Sequence, residues 1–446
     1  MTDATVWLEA TGALAGAGGL GYAKVRAPRV YWSLVGLPVT WARFTWSYRS
    51  TMDVCGLTVQ PSGFRAFVTR NVARREVLPV PPKVRRVRGT STGLRVTLRL
   101  PAGLEPADIA AASERLRHAW GVHAVTVAET KPGFVELRMT GYDVLNRVRL
   151  PRSARADGLV VPVALRDDGT VFARDYRAVP HALTLGANQS GKSVYQRSLI
   201  KGLASLPVAL VGIDCKRGVE QTAYGPRLSA LATTPDQASA LVDALVGEMG
   251  DRFDLLARHG VSDLWELPEK ARPVPVVVLV DEIAELFLIA SKKDEERRER
   301  LVTALIRLAQ MSRAVGIYLE VCGQRFGSEL GRGATMLRAQ LTGRVVHRVN
   351  DKQTAEMGLA DVAPDAVPAA GLIRADRPGT AVAGDSSGGW SRIRTPHVSR
   401  SEAVAACRQY AHLVPSLPAL APFRPDVPDP VTAPGPSLVK PRPVTE

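Results

Sequence analysis

Eight residues near the middle of the chain have the types and spacing of a phosphate-binding loop. The segment GANQSGKS matches the pattern GxxxxGK[ST] and lies between a strand-like apolar stretch and a helix-like stretch. Its glycines allow backbone N–H groups to turn towards phosphate oxygens at a helix N-terminus. In such a loop Lys192 reaches the β- and γ-phosphates, and the Ser193 hydroxyl ligates Mg²⁺. We therefore predict that ATP and Mg²⁺ bind through Gly186, Ala187, Asn188, Gln189, Ser190, Gly191, Lys192 and Ser193.

A second motif, VVVLVDE, ends in two adjacent carboxylates. The apolar run predicts a buried strand that delivers Asp281 to the Mg²⁺ at its carboxyl end. Glu282 then lies one residue further on, where it would polarise the attacking water. This pair favours ATP hydrolysis coupled to mechanical work over a simple nucleotide switch. The alternative for Glu282 is a charge that only complements a helix N-terminus.

Three further polar residues are candidates for the same reaction. Gln324 follows the apolar stretch IYLEVC, so it would lie at another strand end and contact the γ-phosphate, unless it is simply a turn residue. Arg313 precedes that stretch and Arg344 begins the next apolar stretch. Each is a candidate arginine finger for the nucleotide of a neighbouring subunit, and each has the alternative of an ordinary surface charge.

The elements that must position these residues follow an α/β pattern. From about residue 158, apolar strand-like stretches alternate with amphipathic helices, which is typical of a mainly parallel sheet. A smaller set of three strands and one helix precedes it. The predicted organisation is a basic aromatic segment over 1–75, a Pro-rich linker over 76–90, a small α/β domain over 91–152, the ATPase domain over 153–400 and a Pro-rich tail over 401–446.

The composition excludes some classes of protein and favours others. The 446 residues are 46% hydrophobic and 23% charged, which excludes a mostly disordered chain and a polytopic membrane protein. The net charge is +15, and residues 1–100 hold 15 Lys and Arg against 4 Asp and Glu. Such a basic region favours a polyanionic partner, either nucleic acid or an anionic membrane, over a merely soluble surface. Four dispersed cysteines without a CxxC pair predict no disulfide framework and no zinc site.

The N-terminal region combines aromatic and basic residues. Its longest uncharged run has 14 residues, short of the roughly 20 that span a bilayer, and no signal-peptide pattern is present. Trp32, Trp41 and Trp46 stand among arginines, as in segments that lie on a membrane surface. We expect a cytoplasmic protein. Residues 1–50 either make a peripheral contact with the inner face of the membrane or pack against protein.

Five separated blocks resemble the FtsK/SpoIIIE DNA translocases of the HerA–FtsK ATPases. In order they are PHALTLGANQSGKS, VGIDCKRGVE, VVVLVDEIAEL, LAQMSRAVGIYLEVCGQR and GRVVHRVNDKQTAEMGL. The resemblance implies a RecA-like P-loop ATPase motor preceded by a small α/β domain. It also implies a homohexameric ring through which double-stranded DNA passes, driven by ATP hydrolysis.

The resemblance also assigns residues. Lys192, Ser193, Asp281 and Glu282 fall on the family's nucleotide and metal positions, and Gln324 falls on its sensor glutamine. The arginine of an ARAxGIH-like segment is matched by Arg313, which makes it the favoured finger. Asp214 and Lys216 match an IDPK-type block of less certain role.

Three departures refine the functional expectation. The family's four-helix membrane anchor and its winged-helix DNA reader have no counterpart here, and an SxxDSR block appears as VNDKQT. The size and the Ala/Arg/Val-rich composition are most similar to conjugative transfer proteins of actinobacterial plasmids and integrative elements. We therefore expect an ATP-driven translocase of double-stranded DNA. The alternatives are a protein-export ATPase of the type VII secretion kind and a DNA-binding protein with a vestigial ATPase.

Overall fold

The structure, a computed structural model, describes residues 22–24, 26–60 and 78–426 and divides into two units. The first unit contains the described residues up to Val148 together with Leu165–Thr170. The second contains Arg149–Ala164 and the described residues from Val171 onwards. The strand-rich pattern before residue 150 and the alternating pattern after it therefore correspond to two separate cores.

The first unit is a four-stranded antiparallel sheet with helices on one face, in the order β1-β2-β4-β3. Phe44 and Met52 from a helix share one buried cluster with Leu94, Leu116 and Trp120. The elements are α1 Pro28–Tyr31, a π-helical turn Trp32–Gly36, α2 Leu37–Val54, β1 Lys83–Gly89, β2 Gly93–Arg99, α3 Pro106–Ala111, α4 Ser113–Trp120, β3 Ala124–Lys131 and β4 Phe134–Thr140.

Two predicted boundaries in this unit were wrong. The predicted linker 76–90 contains β1, which pairs along its length with β2. A register shift between Val84 and Arg86 spaces the inward-facing Val84 and Val87 three residues apart, so the strand lacks the alternation that would reveal it. The described part of the predicted N-terminal segment is also not separate, because α2 packs onto the same core.

The aromatic residues of the N-terminal segment have different environments. Trp32 is 4% exposed and donates a hydrogen bond from Nε1 to the Thr90 carbonyl oxygen at 3.2 Å. Trp41 and Trp46 are 41% and 91% exposed. Within the described residues, no helix combines the length and the apolar character needed to cross a membrane.

The second unit is built on a ten-stranded sheet in the order β6-β5-β14-β13-β12-β7-β11-β10-β8-β9. From β12 to β9 the six strands are parallel, as the alternating pattern predicted. Apolar residues fill both faces: Val276 and Val278 lie in one buried cluster and Val277 and Leu279 in the other. A strand buried on both faces needs a continuous apolar sequence, which explains VVVLV.

The helices of this unit agree with their sequence signals. The longest, predicted from TPDQ onwards, has Thr234 as N-cap and Gly260 in the left-handed conformation after its end. The elements are β5 Val160–Arg166, β6 Val171–Asp175, β7 His181–Leu185, α5 Lys192–Ala204, β8 Ala209–Ile213, β9 Leu228–Ala232, α6 Pro235–His259, β10 Val276–Val280, α7 Lys292–Met311, β11 Ile317–Gly323, α8 Ala334–Gln340, β12 Gly343–His347, α9 Lys352–Leu359, α10 Val367–Gly371, β13 Thr380–Gly384, β14 Trp390–Arg394 and α11 Arg400–Gln409.

The predicted start of the tail at residue 401 was wrong. Residues 401–409 belong to α11, which begins with a capping box between Ser399 and Glu402. A short 3₁₀ helix, Pro418–Phe423, follows, and its Leu420 is 1% exposed within the main core. Prolines are compatible with such packed turns, so a Pro-rich composition alone did not mark the end of the fold. The residues after 426 lie outside the described part.

Candidate functional site

Four strand ends bring the predicted site residues together. Strands β7, β11, β10 and β8 are parallel neighbours, so their carboxyl ends meet at one edge of the sheet. The loop GANQSGKS follows β7, Asp214 follows β8, Asp281 follows β10 and Gln324 follows β11. This edge is where an open α/β sheet binds its ligands.

The loop after β7 has the backbone geometry that phosphate binding requires. Gln189 and Gly191 have φ values of 59° and 111°, in the left-handed region. A Cβ atom at Gly191 would lie 2.2 Å from the backbone nitrogen of Gly379, which itself donates a hydrogen bond to the Ser190 carbonyl oxygen at 2.9 Å. Helix α5 begins at Lys192, so its first N–H groups, which have no acceptors within the helix, lie at the loop. The loop can therefore bind an anion at a helix N-terminus.

Lys192 is held inside its own loop. Its Nζ donates hydrogen bonds to the carbonyl oxygens of Gly186 and, at 3.2 Å, Ala187. Burial lowers the pKa of the Lys192 ammonium, while the nearby Glu282 raises it. It lines a cleft together with Ala187, Asn188, Gln189, Gly191, Ser193, Val194, Gln196, Lys216, Asp281, Glu282, Cys322, Gln324 and Pro378.

The two carboxylates lie in the same cleft. Burial raises the pKa of Asp281 to about 6, with a further upward effect from Asp214. The Glu282 side chain is nearly buried, at 8% exposure of the residue. Its Oε1 accepts a hydrogen bond from the backbone N–H of Gln324 at 3.2 Å, while the Gln324 side chain lines the cleft. The structure therefore joins Gln324 to the carboxylate pair.

Lys216 is a site residue whose role is not defined by its sequence motif. Its Nζ lies 3.9 Å from Asp281 Oδ2 and 3.6 Å from Glu282 Oε2. The loop that carries it is tied down by the buried carboxylate of Asp214, which accepts hydrogen bonds from the backbone N–H groups of Lys216, Glu220 and Gln221 at 3.2, 3.0 and 3.1 Å. Asp214 thus orders the loop, and Lys216 places a positive charge beside the carboxylates.

The two candidate finger arginines have different environments. Arg313 is exposed in the 3₁₀ turn Ser312–Val315, which precedes β11 and lies at the sheet edge opposite the cleft. Arg344 is 2% exposed, and its Nη2 donates to the Arg338 carbonyl oxygen at 2.8 Å and lies 3.7 Å from Asp361 Oδ2. The prediction of Arg344 as a finger was therefore wrong, because its guanidinium is buried in its own subunit.

The donor set of the cleft fits Mg²⁺. The Ser193 hydroxyl and the Asp281 carboxylate both line it, and hard oxygen donors are the ligands that Mg²⁺ prefers. The described residues contain no group of three or more His, Cys, Asp or Glu side chains placed to hold a metal. Mg²⁺ in nucleotide sites uses one or two protein ligands with phosphates and water, so a serine and an aspartate suffice.

Comparison with known proteins assigns the chain to a family. Residues 17–141 match the family described as the actinomycete conjugal transfer protein N-terminal domain, and residues 144–271 and 265–328 match the FtsK/SpoIIIE family. The transfer protein TraSA of Streptomyces ambofaciens is 56% identical over 389 residues, which cover 85% of this chain and 94% of the relative. The chain belongs to the FtsK/SpoIIIE family. The resemblance drawn from the five sequence blocks is confirmed.

Two further similarities agree with this assignment. The sporulation regulatory protein of Streptomyces azureus is 78% identical over 270 residues, which cover 60% of this chain and 89% of that protein. Among solved structures, the pCW3 conjugation coupling protein TcpA, in a monomer form with ATPγS, superimposes with a TM-score of 0.53 at 19% identity. The match covers 72% of this chain and 90% of TcpA. At that identity it shows the fold alone, and the fold is the expected P-loop ATPase.

Proposed function

We propose that this FtsK/SpoIIIE protein hydrolyses ATP to move double-stranded DNA in conjugative transfer. The observation that carries the proposal is the convergence of Lys192, Asp281 and Glu282 at one cleft at the carboxyl edge of the sheet. The name of one relative, a transfer protein that is 56% identical, and the conjugal transfer family matched by residues 17–141 support the conjugative role.

The cleft supports a division of labour in hydrolysis. Lys192 and the N-terminus of α5 bind the phosphates, and Ser193 with Asp281 holds Mg²⁺. Glu282 polarises the attacking water, which requires a carboxylate fixed in direction, as the hydrogen bond from the Gln324 N–H provides. Gln324 lines the same cleft, where its side chain would contact the γ-phosphate.

We further propose that subunits assemble as a homohexameric ring. Arg313 lies at the sheet edge opposite the cleft of its own subunit, so it can complete a site only in a neighbour. Its exposed position leaves it available for that contact. Ring assembly would give each nucleotide one arginine from outside, the arrangement by which such residues stabilise transition-state charge.

We also propose a cytoplasmic location with a peripheral contact between residues 1–50 and the inner face of the membrane. The exposed Trp41 and Trp46 on α2 support it. Full-length protein should sediment with vesicles rich in anionic lipid at low salt, and less so as salt rises. The Trp41→Ser/Trp46→Ser variant should lose this binding and keep its ATPase activity. Failure of the full-length protein to bind at low salt would show that the tryptophans contact protein instead.

The decisive test of the function is the ATPase rate with and without duplex DNA. Full-length protein should hydrolyse ATP in the presence of Mg²⁺, and linear duplex DNA should raise the rate several-fold. A triplex-displacement assay on the same DNA would then report translocation. An ATPase rate that is unchanged by DNA but rises with a secreted polypeptide would indicate protein export instead. The absence of any ATPase activity would indicate a vestigial site.

A further inference from the structure

Among the described residues, one face of the sheet of the first unit is not covered by a helix. In β2, Leu94, Val96 and Leu98 point into the core formed with α2 and α4. Their sequence neighbours Arg95, Thr97 and Arg99 therefore point to the opposite face, because side chains alternate along a strand. The burial of β2, in which every second residue is fully buried, agrees with this alternation. The register of the neighbouring strands then identifies the other residues of the open face.

The open face is strongly basic, and we call it the arginine face. Cross-strand partners place Arg88 opposite Arg95, and Arg95 opposite Arg138. The one acidic strand residue on this face is Glu136, whose Oε1 accepts a hydrogen bond from Arg138 Nε at 2.8 Å. Arg138 also lies 3.7 Å from Asp168. The basic residues of the arginine face are Lys83, Arg86, Arg88, Arg95, Arg99, Lys131 and Arg138.

This arrangement is unfavourable for the sheet by itself. Like charges directly opposite each other across two strands destabilise a sheet. Within the described residues, Arg86, Arg88, Arg95 and Arg99 form no ion pair. Charged residues on an edge strand can serve to prevent strand-to-strand association, which would account for β1. Arg95 and Arg138, however, lie on the inner strands β2 and β4, so edge protection does not explain them.

The spacing of the charges suits a polyanion with closely spaced charges. Neighbouring strands lie about 4.8 Å apart, and alternate residues along a strand lie about 6.7 Å apart. The row of Arg88, Arg95 and Arg138 therefore spans about 10 Å. Duplex DNA carries one negative charge per about 1.7 Å of its axis, so several phosphates can lie over one such row.

We propose that the arginine face binds the phosphate backbone of duplex DNA. The arginine face belongs to the first unit, whereas the ATP cleft belongs to the second. The proposal rests on the proposed function, because it takes DNA as the substrate. Arginines on a sheet face contact phosphates without reading base edges, so the binding is independent of sequence. It would hold DNA on the protein throughout the ATPase cycle.

The test compares two variants that lose the same charge from the same unit. Arg88→Gln/Arg95→Gln removes two arginines of the arginine face, and Arg49→Gln/Arg115→Gln removes two exposed arginines from the helices that cover the other face. Binding of a fluorescent 40-base-pair duplex to the full-length protein is measured between 50 and 200 mM salt. Each phosphate contact adds about 0.9 to the slope of log K against log salt. The slope of the first variant should be smaller than that of the wild type by about 1.8. Raising the salt from 50 to 200 mM should therefore weaken its binding about 12-fold less than it weakens that of the wild type.

A charge-conserving variant separates the loss of charge from a folding defect. Arg88→Lys/Arg95→Lys keeps the charge and should keep most of the affinity, whereas an equal loss in this variant would point to a folding defect and overturn the inference. A slope equal to that of the Arg49→Gln/Arg115→Gln control would also overturn it. The inference would also be overturned if Arg88→Gln/Arg95→Gln lost binding to anionic vesicles but not to the duplex. Wild-type protein that neither binds the duplex nor is stimulated by it would refute the proposed function, whereas a DNA-stimulated ATPase with an unchanged slope would refute the arginine face alone.

Discussion

Asp281 should make the affinity for Mg²⁺ depend on pH near 6. A metal-binding carboxyl must be ionised, and burial raises the pKa of this one to about 6. Metal binding through Asp281 is therefore supported above pH 6 and is lost as the pH falls through 6. The ionised fraction falls from about nine-tenths at pH 7 to about one-tenth at pH 5. Binding of Mg²⁺ through Asp281 should therefore weaken about tenfold over this interval.

The measurement is the Mg²⁺ dependence of the binding of a fluorescent ATP analogue at pH 5, 6, 7 and 8. Nucleotide phosphates also titrate in this range, so Asp281→Asn serves as the matched control that retains their contribution and lacks the carboxyl. The wild-type affinity divided by that of Asp281→Asn should change about tenfold between pH 7 and pH 5. A ratio that stays constant, or a midpoint near pH 4, would show that Asp281 is either not a ligand or not held in a buried environment.

Three further perturbations test the roles in the cleft. Glu282→Gln should bind ATP within about twofold of wild type yet lower turnover by 10² to 10⁴, the usual range for a lost general base, and equal turnover would contradict that role. Lys216→Met should lower turnover, measured as steady-state phosphate release, by about 10², because it removes the charge 3.6 Å from Glu282. Unchanged turnover would show that Lys216 acts on the carboxylates only in the absence of nucleotide. Arg313→Ala should bind ATP but hydrolyse it poorly, and mixing it with Lys192→Ala should restore part of the rate. Mixed rings that assemble without any rescue would exclude Arg313.

The P-loop and the carboxylate pair were predictable because each is a local pattern. A strand end followed by GANQSGKS or by DE fixes both the side chains and the edge of the sheet to which they are delivered. Parallel pairing of β7, β11 and β10 then brings the separate motifs together without further information. The confirmed fold class follows from the same alternation of apolar strands and amphipathic helices.

Other features depend on contacts that no local pattern contains. The packing of Gly191 against Gly379 joins the P-loop to a turn before β13, far along the chain. Arg344 is an arginine at the start of a strand, a position that suits a finger residue. Its burial against Arg338 follows only from the tertiary fold. The bulge in β1 likewise hides a strand whose apolar residues lie three positions apart.

The electrostatics of the cleft suggest why two lysines accompany two carboxylates. Burial raises the pKa of Asp281, and the neighbouring charges of Asp214 and Glu282 add to this effect. Lys216 opposes this effect on the pKa of Asp281, while the Nζ of Lys192 donates hydrogen bonds to the carbonyl oxygens of Gly186 and Ala187. Mg²⁺ held by Asp281 would supply the positive charge that Lys216 places beside the carboxylates. Lys216 would then be available to the phosphates, so metal and nucleotide should bind with positive cooperativity.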